Sequence, residues 1–163
     1  MATPARPITM KSTLGTLIAT ATLLALAGCG STSSTADGPA GPTAGPITGA
    51  HVLPLISVTG GGGTVSTSAT LLDSKAHIRA FTRQFRPPTM AGRVNAAVQQ
   101  AAASGYLVYG AVVAVGCDRP PGAVVSLDAD GNVQLTGEEV ASPLQECLAP
   151  VTTVAIASVP GSD

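Results

Sequence analysis

A short apolar run near the start of the chain constrains the fold more than any other feature. The run extends from Leu14 to Leu26, which is too short and too rich in small residues for a good membrane-spanning helix. Two basic residues precede it, so it predicts a secretory signal over residues 1–28. Residues 29–50 are rich in Gly, Pro, Ser and Thr and predict a flexible linker. Residues 51–163 are then left to form one small extracytoplasmic domain around a single core.

The four residues that end this region, Leu26-Ala27-Gly28-Cys29, resemble the lipobox of bacterial lipoproteins. The resemblance implies that a lipid is attached to the thiol of Cys29 and that the chain is cleaved just before it. Cys29 would be the first mature residue and would anchor the domain to the cell membrane, on its extracytoplasmic face. The alternative is an ordinary signal peptide in which this cysteine is incidental.

The charge balance argues against nucleic acid as a partner. The chain has nine acidic residues, all beyond residue 28, and only six of its eight basic residues lie there. Nucleic-acid-binding domains carry a surplus of basic side chains instead. The chain also has no Trp, two Tyr and two Phe, so few rings could stack on bases. The expected partners are the membrane, through the lipid, and a protein or small-molecule ligand of unknown identity.

Cys117 and Cys147 remain as a pair if Cys29 carries a lipid. In an oxidising compartment a disulfide is the default expectation, and closing a loop of about 30 residues stabilises a domain by roughly 3–4 kcal/mol. A metal pair or a catalytic thiol is the alternative. A metal needs further ligands, but only His51 and His77 supply imidazoles and no CxxC spacing occurs. We therefore expect a disulfide, no metal site and no cofactor.

Two β-like segments lie on either side of a run of four glycines. Residues 52–58 and 65–72 flank Gly60–Gly63, which predicts a β-hairpin with a flexible tip. A phosphate-binding loop is the alternative for the glycines. No Gly-Lys-Ser/Thr sequence follows them, and the next element is predicted to be a strand, not a helix.

Two helices are predicted next. The first has an apolar face formed by Ile78, Phe81 and Phe85. Asp73 or Ser74 is its expected cap, and Pro87 ends it. The second is expected to be capped by Thr89 and to stop with Gly105 as its C′ residue.

The last third of the chain predicts strands over residues 106–115, 123–127, 133–135 and 151–159. The two short strands flank an Asp-Gly step, which is a strong hairpin signal. Strands and helices do not alternate along the chain. We therefore predict an α+β fold, mainly an antiparallel sheet with one or two short helices packed on it.

One group of oxygen donors matches the spacing of an EF-hand calcium loop. It consists of Asp128, Asp130, Asn132 and, at the twelfth position, Glu139. The sixth position of such a loop requires Gly, and this chain has Val133 there. A hairpin turn is therefore the preferred interpretation, with ion binding as the alternative.

Asp73, Ser74 and His77 contain the residue types of a hydrolase triad. Neighbours on one helical turn rarely reach the geometry that a triad needs, so we expect His77 to pair with Asp73 and predict no catalytic residues. The same helix carries a basic stripe formed by Lys75, Arg79 and Arg83. The stripe is either a solvated face or a surface for anionic lipid or an acidic partner.

Two sequence segments that contain the cysteines resemble small secreted lipoproteins of high-GC Gram-positive bacteria. They are Val113-Ala114-Val115-Gly116-Cys117-Asp118-x-Pro120 and Gln145-Glu146-Cys147-Leu148-Ala149-Pro150-Val151-Thr152-Thr153-Val154-Ala155. The resemblance implies an envelope lipoprotein with a cysteine pair, and it implies no particular activity. A fainter likeness is to small secreted β domains associated with protease complexes.

Taken together, these features predict a non-enzymatic, lipid-anchored domain that presents a binding surface. One rival is an enzyme whose site is assembled only by the fold, which would show as a concave pocket with converging polar side chains. Another is a protease-inhibitor-like module, which would show as an exposed rigid loop at Asp118–Gly122.

Overall fold

The structure is a computed structural model, and it describes residues 44–102 and 105–161. The predicted signal peptide and Cys29 lie outside the described residues. The last part of the predicted linker, from residue 44 onward, belongs to the fold, because Gly45–Pro46 forms the first strand, β1, and pairs within a sheet.

Two long antiparallel strands form the centre of the molecule. The strand Tyr106–Gly116 (β5) pairs along its whole length with Val151–Pro160 (β8), with one bulge after Val112. Both are almost continuously apolar, as expected for strands with both faces covered. Residues 152–159 are all buried. β8 is therefore the strand around which the core is organised.

Short strands complete a five-stranded antiparallel sheet around this pair. His51–Val52 (β2) and Ile56–Thr59 (β3) both pair with the outer side of β8. Thr70–Leu71 (β4) pairs with the outer side of β5. β3 and β4 consequently lie at opposite edges of this large sheet.

Two helices cover one face of the large sheet. They are Lys75–Thr82 (α1) and Pro88–Ala101 (α2). The buried side chains between the helices and the sheet include Phe81, Phe85, Met90, Val94, Val98, Val112, Val154 and Ile156. The large apolar side chains of the chain are concentrated on this face, so most of the hydrophobic stabilisation is expected here.

A second, three-stranded antiparallel sheet covers the other face. It has the order β1, then Ala123–Leu127 (β6), then Val133–Gly137 (β7). The large sheet presents small side chains to it, among them Ala111, Ala155 and Ala157. These residues allow a close approach, and Leu135, fully buried on β7, fills much of the space between the sheets.

Two segments hydrogen-bond to both sheets and so join their edges. Residues 45–52 run from β1, paired with β6, into β2, paired with β8. On the opposite side, residues 66–72 bond to β5 and also to β7, since the Ala69 N–H donates to the Val133 carbonyl and the Leu135 N–H to the Thr67 carbonyl. The two sheets therefore form a flattened, almost closed barrel, with the helices packed outside it.

The predicted fold class is confirmed: two short helices pack on a mostly antiparallel arrangement of eight strands. The helix that begins after Ser74 is present, and the Ser74 hydroxyl accepts a hydrogen bond from the His77 N–H at 3.1 Å. The predicted hairpin at the Asp-Gly step is also present as β6 and β7. No helix among the described residues has the length and apolar character needed to cross a bilayer.

Some local predictions were wrong. The segments around Gly60–Gly63 do not form a hairpin, because β3 and β4 pair with different strands. Thr89 does not cap the second helix, which begins one residue earlier at Pro88, since a proline at the first helical position has no N–H to leave unpaired. That helix ends at Ala101, so Gly105 is not its C′ residue. Gly105 instead has a φ of 80° just before β5.

The disulfide between Cys117 and Cys147 is present, with the two Cα atoms 5.3 Å apart. This confirms the predicted cysteine pair, and the bond joins the end of β5 to the loop before β8. Cys147 lies in the connection between β7 and β8, residues 138–150, which contains no helix or strand. The bond therefore fixes this connection to the end of β5.

Candidate functional site

The edge of the large sheet formed by β2 and β3 is interrupted by a bulge. β2 pairs with β8 up to Leu53, whose N–H donates to the carbonyl of Ile156 at 2.8 Å. Pairing resumes at Ile56, which lies opposite Val154, two residues before Ile156 in β8. Pro54 and Leu55 therefore lie opposite a single residue of β8. A proline at an edge bulge is favoured because its missing N–H weakens no ladder there.

Beyond the bulge, one side of β3 has no neighbouring strand among the described residues. Backbone groups along an antiparallel strand point alternately to its two sides. Gly60 directly follows β3, and its N–H donates to the Pro150 carbonyl at 2.8 Å. The backbone N–H and carbonyl groups of Val58 and Ile56 therefore also point toward β8. The residues whose backbone groups face outward are Leu55, Ser57 and Thr59. We call this outward side of residues 55–59 the open edge.

A groove lies between the open edge and α2. It has a volume of 280 Å³ and is lined by Leu53, Pro54, Leu55, Ile56, Arg93, Ala96, Ala97 and Gln100. Its lining is mainly apolar, with Arg93 at one side. The Nη1 atom of Arg93 is 3.5 Å from the Ser57 carbonyl oxygen, which agrees with the outward direction of that carbonyl. We call this the helix-side groove.

A second groove lies on the other face of the same edge. It has a volume of 440 Å³ and is lined by Pro54, Leu55, Ser57, Arg119, Pro120 and Pro121. Ser57 lies on this face because its hydroxyl is 2.9 Å from that of buried Thr153. We call this the loop-side groove. An adjoining hollow of 350 Å³ continues past Pro54 toward Gly122 and Glu138.

The loop-side groove has a braced wall, the loop Asp118–Gly122. The disulfide holds the start of this loop, and the Asp118 carboxylate accepts a hydrogen bond from the Leu144 N–H at 2.6 Å. At its end, the Gly122 carbonyl accepts a hydrogen bond from the Glu138 N–H at 2.9 Å. Arg119, between these braces, is exposed. Within the described residues neither Arg119 nor Arg93 forms an ion pair with a carboxylate.

A further cavity of 290 Å³ contains residue types that an enzyme could use. It is lined by His51, Leu53, Gln100, Ala101, Tyr106 and Ser158. The Ser158 hydroxyl, however, lies 3.5 Å from the backbone carbonyl oxygen of His51, and within the described residues it forms no hydrogen bond with the imidazole. No carboxylate lines this cavity to orient the ring. The arrangement therefore lacks the hydrogen bond between nucleophile and base, and the orienting carboxylate, that a triad needs.

The oxygen donors that resemble a calcium loop form a hairpin turn instead. The Asp128 carboxylate accepts hydrogen bonds from the N–H groups of Asp130 and Asn132, at 2.9 and 2.8 Å, and from the side chains of Asn132 and Gln134. The backbone N–H of Asn132 contributes most to lowering the pKa of Asp128, and the other donors add to this while partial desolvation opposes it. Nowhere in the described part of the chain do three His, Cys, Asp or Glu side chains come together in a group suited to a metal ion.

His77 and Asp73 form the pair that their spacing predicts. The Nδ1 atom of His77 is 2.6 Å from the Asp73 carboxylate, and both side chains are about half exposed, at 55% and 45%. Ser74 is occupied by capping the helix. The three residues therefore stabilise the start of α1 and do not assemble a triad.

The basic stripe lies on α1, as predicted. Lys75 and Arg79 line a groove of 370 Å³ between the helices together with Ile78, Asn95 and Gln99. Arg83 is exposed at the C-terminal end of α1.

The glycine run Gly60–Gly63 is bonded to β8, because the Gly62 carbonyl accepts a hydrogen bond from the Thr152 hydroxyl at 2.8 Å. It offers no phosphate-binding helix terminus.

The open edge was not among the sites that the sequence predicted. One signal for it exists in the sequence, because Pro54 interrupts the β-like run of residues 52–58 and a proline is confined to edge strands. Comparisons of the chain with protein-family models, with curated proteins and with solved structures find no match. The function must therefore be argued from the site itself.

Proposed function

We propose that this protein is a non-enzymatic binding module held on the extracytoplasmic face of the cell membrane by a lipid on Cys29. Its binding surface is the open edge of β3 together with the helix-side and loop-side grooves. No cofactor takes part in this function. The proposal joins an anchor, argued from the sequence, to a surface, argued from the fold.

The main support for this choice of binding surface is the open edge of β3. An edge strand with unpaired backbone groups is a ready template for pairing with another chain, and proteins usually cover or blunt it. Here the outward groups of Ser57 and Thr59 meet no strand in the described structure, and a groove lies on each face beside them. A concave, partly apolar surface with a few polar groups is typical of binding sites.

Two features support the anchor and the compartment. The lipobox-like residues end at Cys29, which leaves an even number of cysteines. These two cysteines form a disulfide, and disulfides persist in exported proteins but are rare in the cytosol of mesophiles. A domain stabilised in this way is suited to the outer face of a membrane.

Fractionation of cells that express the full chain tests the anchor. The wild-type protein should be labelled by palmitate and recovered in the membrane pellet, because two or more acyl chains anchor a protein stably. Cys29→Ser should lose both the label and the pellet location. The double variant Cys117→Ser, Cys147→Ser is the matched control and should keep both. A Cys29→Ser protein that is still labelled and pelleted would overturn the anchor.

The braced loop Asp118–Gly122 supports a second candidate function, a protease-inhibitor-like module. It has the expected mark, an exposed side chain, Arg119, on a loop fixed at both ends. Inhibition of a protease that cleaves after arginine would support this function, provided that Arg119→Ala abolishes it. No inhibition by the wild-type chain at high micromolar concentration would exclude it for that class of protease.

A further inference from the structure

We propose that the open edge binds an extended segment of a partner protein as an additional antiparallel strand, and that this segment carries an acidic side chain opposite Arg119. The inference rests on the proposed function and specifies its ligand. It follows from the direction of the backbone groups, the position of the two grooves and the charges beside them.

Strand addition obtains its affinity from main-chain hydrogen bonds and its specificity from pockets for alternate side chains. β3 supplies the first requirement, because the N–H and carbonyl groups of Ser57 and Thr59 face away from β8. Among the described residues, these outward backbone groups receive one side-chain hydrogen bond, the long contact of 3.5 Å from Arg93 Nη1 to the Ser57 carbonyl oxygen. An incoming strand can replace it with a shorter, better aligned bond.

The two grooves supply the second requirement. Side chains of a strand point alternately to the two faces of a sheet, so those of an added strand would enter the helix-side groove and the loop-side groove in turn. The helix-side groove is floored by Ala96 and Ala97 and suits apolar side chains. The loop-side groove is more polar and contains Arg119, which has no carboxylate partner among the described residues.

The charges select one occupant. A second copy of this chain, paired edge to edge, would bring two pairs of arginines, Arg93 and Arg119 of each copy, to the same short edge, where like charges repel. An acidic side chain opposite Arg119 gains attraction instead. Glu138 lies beyond Pro54 at the other end of this face, so the acidic residue is favoured near Ser57 and disfavoured near the bulge.

The test uses two fluorescent octapeptides and the full chain purified in mild detergent. Both peptides alternate Val and Thr, and one central Thr is replaced by Glu in the first and by Lys in the second. The Glu peptide should bind about two- to fivefold more tightly than the Lys peptide, the range of an exposed charge pair. Arg119→Glu should reverse this order. Arg83→Glu, which changes an exposed arginine just after the C-terminal end of α1, is the matched control and should leave the order unchanged.

N-methylation of the Glu peptide tests strand addition independently of charge. In a bound strand, the amides of every second residue face β3, and methyl groups on these amides should abolish binding. Methyl groups on the amides of the remaining residues face away from β3 and should leave binding unchanged. Equal binding by the Glu and Lys peptides, or equal effects of the two methylated sets, would overturn the proposal. So would sedimentation of the chain as a dimer that Thr59→Pro converts to a monomer.

The outcomes separate this inference from the proposed function. If Cys29→Ser releases the protein from the membrane but neither peptide binds, strand addition is wrong and the anchored module stands. If the Glu peptide binds as expected but Cys29→Ser is still labelled by palmitate and pelleted, the anchor is wrong and the ligand assignment stands.

Discussion

Each edge of the large sheet has a strand with backbone groups that point away from the sheet. These groups are hydrogen-bonded at one edge and open at the other. At the β4 edge, residues 66–72 bond to β5 on one side and to β7 on the other, so their backbone groups are used by both sheets. At the β3 edge the outward groups meet no strand in residues 44–102 and 105–161. Exposed edges favour unwanted pairing, so the difference supports our proposal that the β3 edge binds a ligand.

Their surroundings differ in the same way. The closed edge borders the buried space between the two sheets, filled by Leu135 and small residues. The open edge lies between two grooves, and the loop that walls one of them is fixed by the disulfide. The closed edge therefore contributes to the stability of the core. The open edge is a surface between α2 and the disulfide-fixed loop Asp118–Gly122.

Removal of the disulfide should have the largest effect. The double variant Cys117→Ser, Cys147→Ser should lose roughly 3–4 kcal/mol of unfolding free energy, because the unfolded chain gains the freedom of the open loop. Denaturant unfolding measures this loss, and far-UV circular dichroism should change little. Thiol trapping of the wild-type chain is the control. Free alkylation of either cysteine without a reductant would contradict the presence of the bond.

Truncation at the closed edge should come next. Leu135 is fully buried and its N–H bonds to the Thr67 carbonyl, so Leu135→Ala should cost about 3 kcal/mol through lost burial and the cavity it leaves. Amide exchange at Ala69 should accelerate, while exchange at Ser57 should not change. Val124→Ala, on the neighbouring strand and 50% exposed, is the matched control. A similar cost for both variants would contradict the buried position of Leu135 beside the closed edge.

These elements also show what the sequence could and could not predict. The helix after Ser74, the strands β5 and β8 and the hairpin at Asp128 follow from periodicity, capping and turn residues that act locally. The disulfide was expected from the predicted export signal and the even number of cysteines that remain after Cys29. The pairing of β3 does not, because its partner β8 lies almost a hundred residues away and the glycines suggested a nearer one. The hydrogen bonds from residues 66–72 to both β5 and β7 are also long-range contacts, which no local sequence pattern predicts.

Asp128 provides a smaller, pH-dependent test of the hairpin in the three-stranded sheet. Its pKa is below the ordinary value of 3.8 because the Asn132 N–H and other donors favour the carboxylate. A lowered folded-state pKa means that its stabilisation is present above about pH 3.8 and is lost as the pH falls through the folded pKa. The carboxyl carbon should titrate below 3.8 by NMR. A midpoint at or above that value would contradict the bonded turn.

The basic stripe on α1 should have the smallest effect, because its three side chains are exposed and interactions of exposed charges are screened by salt. If it contributes to membrane contact, an unlipidated chain that lacks residues 1–29 should bind anionic vesicles weakly at low salt. Exchange of Lys75, Arg79 and Arg83 for Gln should reduce that binding, and salt should screen it over a Debye length of about 10 Å at 0.1 M. Equal binding by the two proteins would leave the stripe as a solvated face.

Amide hydrogen exchange of the full chain, without any ligand, tests the central comparison most directly. The Ser57 and Thr59 amides should exchange quickly because they face outward, whereas Val58 on the same strand and Ala69 at the closed edge should be protected. Protection of Ser57 and Thr59 to the level of Ala69 would contradict the account, since the β3 edge would then be as closed as the β4 edge.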